Sequence, residues 1–203
     1  MKVLAINGSP RKQGNTARLL QEVAQTLENH GVACEILHLA DHPVTGCRGC
    51  RQCGVHKDGH CVFTQDAFHE VFARMEAADG LLLGSPVYFS NVTSEMLALI
   101  HRAGMVARVN GDRFRRKPGA AVIAVRRAGA IHAFNSINHF FLVGQMFVVG
   151  SSYWNLGMGR VPGDVEKDLE GMETMQILGQ NMAWLLKRLH GEGIEPAGPM
   201  EPS

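Results

Sequence analysis

The sequence predicts a single α/β domain built on a doubly wound parallel sheet. Three observations lead to this fold class. Short apolar segments alternate with segments whose apolar residues recur at helical spacing. The apolar segments are almost unbroken, as expected of strands that are buried on both faces. The chain has 203 residues, 45% of them hydrophobic, which is enough for one substantial core.

The first half of the chain contributes two strands and two helices to this prediction. Lys2–Ile6 is a short buried strand, and Ala17–Leu27 is an amphipathic helix that ends at Gly31. Cys34–Ala40 mixes polar and apolar residues, which is typical of an edge strand. Thr64 is expected to cap the next helix. The apolar face of that helix is Phe68, Val71, Phe72 and Met75.

The second half of the chain continues the alternation. Leu81–Phe89 is a buried strand that runs into a loop, and Thr93 or Ser94 caps the helix after it. Ala120–Val125 and Met146–Gly150 are the remaining two strands. The apolar residues of the three helices in this half are Met96, Leu97, Leu99 and Ile100, then Ile131, Phe134, Ile137 and Phe141, then Met172, Met175, Met182, Leu185, Leu186 and Leu189.

Five parallel strands with helices on both faces favour the flavodoxin-like order 2-1-3-4-5. In such sheets a ligand binds beyond the carboxyl ends of the strands, at the point where the strand order reverses. We therefore expect the site in the loops after strands one, three and four. Residues 1–190 form one domain in this prediction, residues 43–64 are an inserted cysteine loop, and 191–203 are a flexible tail.

Composition and charge exclude several classes of function. A formal net charge of +1 provides no basic field for nucleic acid or for an anionic membrane. The apolar run at the N-terminus stops at a Gly-Ser-Pro turn, and no later run approaches the ~20 residues that span a bilayer. We expect a cytoplasmic protein, in which disulfides are the least expected use of its cysteines.

The loop after the first strand, GSPRKQGNT, has the character of an anion site. It leads into the N-terminus of a helix, where free backbone N–H groups and the helix dipole favour negative charge. It matches neither the Walker A pattern nor G-x-G-x-x-G, so a monophosphate such as FMN is favoured over a dinucleotide, with an ordinary polar loop as the alternative. The candidate phosphate ligands are Ser9, Arg11, Gly14, Asn15 and Thr16.

The loops after strands three and four are candidates for contacts with the ring of a flavin. SPVYFSN offers two flat aromatic side chains and polar groups, and VRRAGA offers backbone N–H groups and two arginines. The alternatives are aromatic residues that only pack the sheet edge and arginines that are only solvated. The candidate ring contacts are Ser85, Pro86, Val87, Tyr88, Phe89, Asn91, Arg127, Ala128 and Gly129.

Four of the five cysteines lie in one compact run, CRGCRQCGVHKDGHC, with spacing C-x2-C-x2-C-x7-C. Such closely spaced thiolates can hold a [4Fe–4S] cluster. Two alternatives stay open, because the same cysteines could be reduced thiols without metal or, less in keeping with one compact run, zinc ligands. Cys34 lies in a predicted strand and is expected to behave as a buried apolar residue. The candidate cluster ligands are Cys47, Cys50, Cys53 and Cys61.

Four segments in this order and spacing resemble the iron-sulfur flavoproteins, which fall within the NADPH-dependent FMN reductase group of the flavodoxin-like fold. They are GSPRKQGNT, ADGLLLGSPVYFSNVTSEM, VRRAGA and the cysteine run, and the likeness covers roughly residues 1–151. The resemblance implies FMN and a [4Fe–4S] cluster at the residues named above. It also implies a homodimer or homotetramer with each flavin near a subunit interface.

The expected function is that of an FMN-dependent oxidoreductase. The resemblance implies electron transfer between NAD(P)H or ferredoxin and an acceptor such as a quinone. Two rivals remain at this level. One is a cluster-free NAD(P)H-dependent FMN or quinone reductase, and the other is a non-enzymatic electron carrier. No acid or base residue is nominated.

Overall fold

The structure, a computed structural model, describes residues 1–191 and contains one parallel sheet in the order β2-β1-β3-β4-β5. The predicted fold class and strand order are confirmed. Of the predicted tail, only Gly191 falls within the described residues. The strands are β1 (Lys2–Asn7), β2 (Ala33–His38), β3 (Gly80–Pro86), β4 (Pro118–Val125), β5 (Phe147–Val148) and β6 (Leu156–Met158).

Helices cover both faces of the sheet, because alternate residues of the central strands point to opposite sides and are apolar on both. In β1, Val3 and Ala5 pack into the core on one face of the sheet, whereas Leu4 and Ile6 pack into the core on the other face. All eight residues of β4 are buried. The helices are α1 (Asn15–Asn29), α2 (Gln52–His56), α3 (Phe68–Ala77), α4 (Ser94–Val109), α5 (Ala130–Val143) and α6 (Leu169–Leu189).

The fifth strand position is divided, which the sequence did not predict. Only β5, within the expected segment Met146–Gly150, pairs with the start of β4 at Pro118 and Gly119. The chain then leaves the sheet and returns as β6, which pairs in parallel with Ile123–Val125. Because β3 occupies the other edge of β4, the two short strands share one edge. The loop after this position therefore begins at Gly159.

The prediction that Thr64 caps the third helix is wrong. Helix α3 begins at Phe68, four residues later, and Thr64 is exposed in the preceding loop. The carboxylate of Asp66 accepts the backbone N–H of Phe68 at 3.1 Å instead. At the next helix the prediction of a hydroxyl cap is confirmed, since the Thr93 hydroxyl accepts the N–H of Met96 at 3.3 Å.

The cysteine segment leaves the sheet after β2 and rejoins the fold at α3. It contains one short helix, α2, with residues in the left-handed conformation at both ends, Arg51 and Lys57. Asn110, at the end of α4, accepts the N–H of Gly59 and donates to the carbonyl of Cys53. The segment is thus fastened to α4. Within residues 1–191, no helix combines the length and the apolar character that crossing a membrane requires.

Candidate functional site

A cleft of about 120 Å³ lies at the carboxyl end of the sheet, where the sequence predicts the ligand. Four loops contribute its walls, namely those after β1, β3, β4 and β6. All five predicted phosphate ligands line it, together with three of the predicted ring contacts. Those eight residues are Ser9, Arg11, Gly14, Asn15, Thr16, Pro86, Val87 and Tyr88.

The loop after β1 is shaped as an anion site by its own hydrogen bonds. The side-chain oxygen of Asn7 accepts the N–H of Ser9 at 3.0 Å, and the hydroxyl of Ser9 accepts the N–H of Arg11 at 3.1 Å. The N-cap of α1, Gly14, has no side chain to accept the first N–H groups of the helix, and the first turn holds no acidic residue. The free donors and the positive end of the helix dipole therefore face the cleft, as an anion requires.

Asn15 has a second role that sequence reasoning missed. Its side-chain oxygen accepts the N–H of Gly163 at 3.0 Å, so it fastens the loop after β6 to the loop after β1. At Gly159 an added Cβ would lie 2.6 Å from the Asn15 amide nitrogen, so only glycine permits this approach. The loop brings Gly159, Arg160 and Pro162 into the lining. The Pro-Gly-Asp turn at 162–164 marks this loop in the sequence, but it indicates a loop beside the cleft only once β6 is known to precede it.

The loop after β3 forms a tight turn in which Tyr88 and Asn91 exchange backbone hydrogen bonds of 2.8 and 3.1 Å. Both central residues, Phe89 and Ser90, have positive φ, as in a type I′ turn. The turn directs Tyr88 to the cleft and leaves Phe89 fully exposed. Asn91 faces away from the cleft and lies 3.0 Å from the hydroxyl of Ser136 on α5.

The remaining predicted ring contacts do not line the cleft themselves. Ser85 is buried, and its hydroxyl donates to the carbonyl of Pro86 and accepts the N–H of Thr93, so it shapes the loop. In the loop after β4, Arg126 lines the cleft, whereas the predicted Arg127, Ala128 and Gly129 are not among its lining residues. An added Cβ at Gly129, where φ is +88°, would lie 3.1 Å from Ser90, so these two loops touch.

The cleft is electropositive. Arg11, Arg126 and Arg160 are exposed around it, and none of the described residues that line it is acidic. The nearby carboxylate of Asp164 accepts the backbone N–H groups of Arg160 and Val161 at 3.2 and 2.9 Å. The bond from Val161, followed by the ion pair with Lys167, lowers the pKa of Asp164. This carboxylate keeps the Arg160 loop in shape.

The four cysteines of the compact run line one narrow cavity against α4. Cys53 is buried, Cys61 is half-buried, and Cys47 and Cys50 are exposed. The x7 spacer returns Cys61 to the cavity that the other three cysteines line. Two cations of the same run, Arg48 and Arg51, line the cavity, whereas Lys57 does not. The sequence missed Arg102 of α4, which also lines it.

The four cysteine sulfurs are not gathered around a single metal-ion position. Within residues 1–191 no three His, Cys, Asp or Glu side chains converge closely enough to hold one metal ion, as a tetrahedral zinc site requires. A cubane instead takes one sulfur at each of four separate irons. The cavity has a volume of only about 10 Å³, so the exposed Cys47 and Cys50 would have to move outward around a cluster, while Cys53 and Cys61 are held by the core.

The thiols differ in their surroundings. Burial raises the pKa of Cys53, and the neighbouring Cys61 and Cys47 raise it further, as expected for sulfurs that crowd one another. Burial, with the charges of Glu28 and Glu35, raises the pKa of Cys34 to about 12. Cys34 lies in β2 and packs against the core, so it is a thiol of structural character, as the sequence predicts.

A cavity larger than the cleft is an apolar groove of about 640 Å³ between α4 and α5. Its floor includes Ile100, Phe114 and Phe140. Unlike the groove, the cleft combines the N-terminus of α1 with three arginines, which are groups that suit a phosphate. The groove runs from Asn91, in the turn after β3, to Met105, which also lines the cysteine cavity.

Comparison with known proteins identifies the family. The family model of the NADPH-dependent FMN reductases matches residues 1–160. The chain belongs to that family. An iron-sulfur flavoprotein of Methanocaldococcus jannaschii is 37% identical over 92% of this chain and 98% of the relative. One from Methanosarcina thermophila is 28% identical over 92% of this chain and 96% of the relative. The resemblance to iron-sulfur flavoproteins is confirmed, within a family of FMN-binding oxidoreductases.

Solved structures support the same fold. The crystal structure of RosB with 8-demethyl-8-formylriboflavin-5'-phosphate bound is similar with a TM-score of 0.74 at 16% identity, covering 93% of this chain and 80% of that one. A flavodoxin from the domain Archaea is similar with a TM-score of 0.61 at 14% identity, over 92% of this chain and 99% of the other. At these identities the likeness establishes the flavodoxin-like fold alone.

Proposed function

We propose that this protein is an FMN-dependent oxidoreductase of the iron-sulfur flavoprotein type, which passes electrons between NAD(P)H or ferredoxin and an acceptor. The observation that carries the proposal is the convergence of the uncapped α1 N-terminus with Arg11, Tyr88 and Arg126 in one cleft at the carboxyl end of the sheet. Family membership supports FMN as the flavin.

The size and polarity of the cleft indicate which part of FMN it would hold. Its volume of about 120 Å³ is below the ~300–1,000 Å³ usual for ligand cavities, so it fits the phosphate and the start of the ribityl chain. The ring would then rest on the open side, against Tyr88 and the turn that precedes Asn91. When bound, FMN would supply both hydride acceptance and single-electron transfer.

The chain's own residues bind, orient and balance charge. Ser9 and Thr16 are buried, so their hydroxyls are fixed donors, and Arg11 adds a charge at the rim. Asn15 holds the Arg160 loop over the phosphate end. Arg126 lines the cleft beside Tyr88 and would stabilise negative charge on the ring.

We further propose that Cys47, Cys50, Cys53 and Cys61 hold a [4Fe–4S] cluster. Support comes from their shared cavity, from thiolate being the ligand such clusters prefer, and from relatives named iron-sulfur flavoproteins. Because all five cysteines are free, we place the protein in a reducing, cytoplasmic compartment.

A homodimer or homotetramer is part of the same proposal. The apolar groove connects the turn after β3 with the cysteine cavity, and the exposed Leu142 and Val143 stand near its end. A second subunit on this face would cover an apolar surface and shield the open ring. Ferredoxin and small quinones are the proposed acceptors, and neither nucleic acid nor a membrane is a proposed partner.

The FMN assignment is tested by the double variant Arg11→Ala/Thr16→Ala. Each charge-assisted phosphate contact is worth about 1.5–3 kcal/mol, so FMN should bind at least tenfold more weakly in a fluorescence titration. Lys12→Ala is the matched control, because Lys12 is exposed, pairs with Asp41 and does not line the cleft. Unchanged FMN affinity in the double variant would refute the phosphate site.

The cluster is tested by Cys50→Ser, with Cys34→Ser as the matched control. Serine oxygen is a poorer ligand for a soft iron–sulfur cluster, so iron should be absent or labile only in the first variant. Cys50→Ser should still oxidise NAD(P)H and reduce quinones but should lose efficient transfer to ferredoxin. If anaerobically prepared wild type contains no stoichiometric iron, the cluster-free reductase becomes the better proposal. If wild type oxidises no NAD(P)H without a redox partner, the non-enzymatic electron carrier becomes the better proposal.

A further inference from the structure

Arg102, on α4, is the largest side chain that the fold buries completely, with 1% exposed. A charged group at such a position is costly unless partners replace its water. Helix α4 could pack against the cysteine segment with an apolar residue at lower cost. The reason for a buried arginine at this position must therefore lie in the contacts that its guanidinium makes.

The guanidinium connects both ends of the cysteine run. Its Nε–H donates to the sulfur of Cys61 at 3.2 Å. One Nη group donates to Asp66 at 2.6 Å and lies 3.4 Å from both the carbonyl and the hydroxyl oxygen of Thr45, two residues before Cys47. The other Nη donates to the carbonyl of Phe63. The ring of Phe68 lies 4.2 Å from Cζ.

These contacts fix the direction of one thiol. Cys61 has Phe63 and Asp66 after it in the chain, and all three are held by one planar group whose donors diverge at fixed angles. The sulfur of Cys61 therefore stays on the cavity that Cys47, Cys50 and Cys53 also line. The Nε–H that donates to the sulfur is not the donor that Asp66 accepts, so the guanidinium bonds both groups at once.

We propose that Arg102 is the positioning residue of the cluster site, which aims the Cys61 thiolate into the cavity and donates a charged hydrogen bond to it. This inference rests on the proposed cluster. Hydrogen bonds and positive charge at a ligating sulfur favour the reduced cluster and so raise its reduction potential. Arg102 thus serves both retention of iron and the ease with which the cluster takes up an electron.

Arg102→Lys and Arg102→Gln are the variants that test this role. Lysine keeps the charge for Asp66 but is a point donor that cannot span Cys61, Asp66 and Phe63 at once. Arg188→Gln is the control, because Arg188 is an exposed arginine on α6 that lines neither the cysteine cavity nor the groove. The proteins are loaded anaerobically with ferrous iron and sulfide, and iron loss to a chelator, reduction potential, FMN affinity and thermal unfolding are measured.

We expect Arg102→Lys to lose iron roughly 10-fold faster than wild type, the size of effect usual for a group that supports a metal ligand, and its remaining cluster to have a lower reduction potential. FMN affinity should be unchanged. Arg188→Gln should match wild type in every measurement. A merely structural role would lower the unfolding temperature of Arg102→Lys while leaving the potential unchanged, and that result would overturn the inference.

Failure of the inference and failure of the proposed function give different results. Wild type that takes up iron, together with Arg102→Lys that retains it at the wild-type rate and potential, overturns only the role of Arg102. Wild type that takes up no iron overturns the cluster and the inference with it. If neither variant folds, wild type labelled with [15N]arginine provides the test. Among residues 1–191 Arg102 is the one fully buried arginine, so its Nε–H should exchange slowest. That signal should broaden on loading with iron, and an unaffected signal refutes the proposal.

Discussion

Replacing Asp66 by asparagine should destabilise the protein far more than its position in a loop suggests. The carboxylate has 11% of its side chain exposed and accepts four hydrogen bonds, from Arg102, the hydroxyl and N–H of Thr45, and the N–H of Phe68. Asparagine leaves the guanidinium of Arg102 buried without a counter-charge. Breaking a buried ion pair in this way costs about 3–5 kcal/mol.

The pH dependence of the unfolding free energy gives a second measure of how much Asp66 stabilises the protein. Burial alone would raise the pKa of Asp66, but the bonds from Thr45, Phe68 and Arg102 outweigh it and lower the pKa from 3.8 to about 2. A carboxylate with a depressed pKa in the folded state stabilises the protein above its unfolded pKa, and that stability is lost as the pH falls. The shift corresponds to about 2 kcal/mol, of which roughly 1 kcal/mol is lost by pH 3.

The assay is urea denaturation of wild type and Asp66→Asn at pH 6 and at about pH 3, with Glu70→Gln as control. Glu70 lies one turn further along the chain in a half-exposed ion pair with Arg74, and its loss should cost less than about 1 kcal/mol. The difference between wild type and Asp66→Asn should narrow at the lower pH. A loss no larger than that of Glu70→Gln, or a difference independent of pH, would refute this account of Arg102 and Asp66.

Two further predictions concern the loop after β6 and the apolar groove. Gly159→Ala should weaken FMN binding, because the new Cβ would lie 2.8 Å from the backbone nitrogen of Val165 and would push the Arg160 loop outward. The measurement is a fluorescence titration, with Gly150→Ala as the control because the space around Gly150 is open. Equal FMN affinities of the two variants would contradict this placement of the loop. Val143→Glu should dissociate the oligomer by placing a charge on the α4–α5 face, whereas Leu169→Glu, also on exposed apolar surface, should not. Light scattering that gave the 22.1 kDa mass of one chain for wild type would remove the proposed oligomer.

The fold could be predicted because its signals are local. Each central strand is a short apolar run and each helix a periodic one, and parallel strands joined by helices leave few topologies. The fifth strand was predicted incompletely because Leu156–Met158 is three residues long and carries no periodicity of its own. It is a strand only because the edge of β4 offers hydrogen bonds to it.

The sequence by itself determined the parallel sheet, the candidate phosphate loop after β1 and the four cysteines of the candidate cluster. Each of these depends on neighbouring residues in the chain, namely a run of apolar side chains, a polar loop before a helix, and a spacing of thiols. The tertiary structure alone decided which distant groups join them. Arg160 reaches the phosphate loop through the bond between Asn15 and Gly163, and Arg102 reaches Cys61 across 41 positions of the chain. No local pattern marks such a partner, because its role arises only when the packed sheet and helices bring the two segments within hydrogen-bond distance.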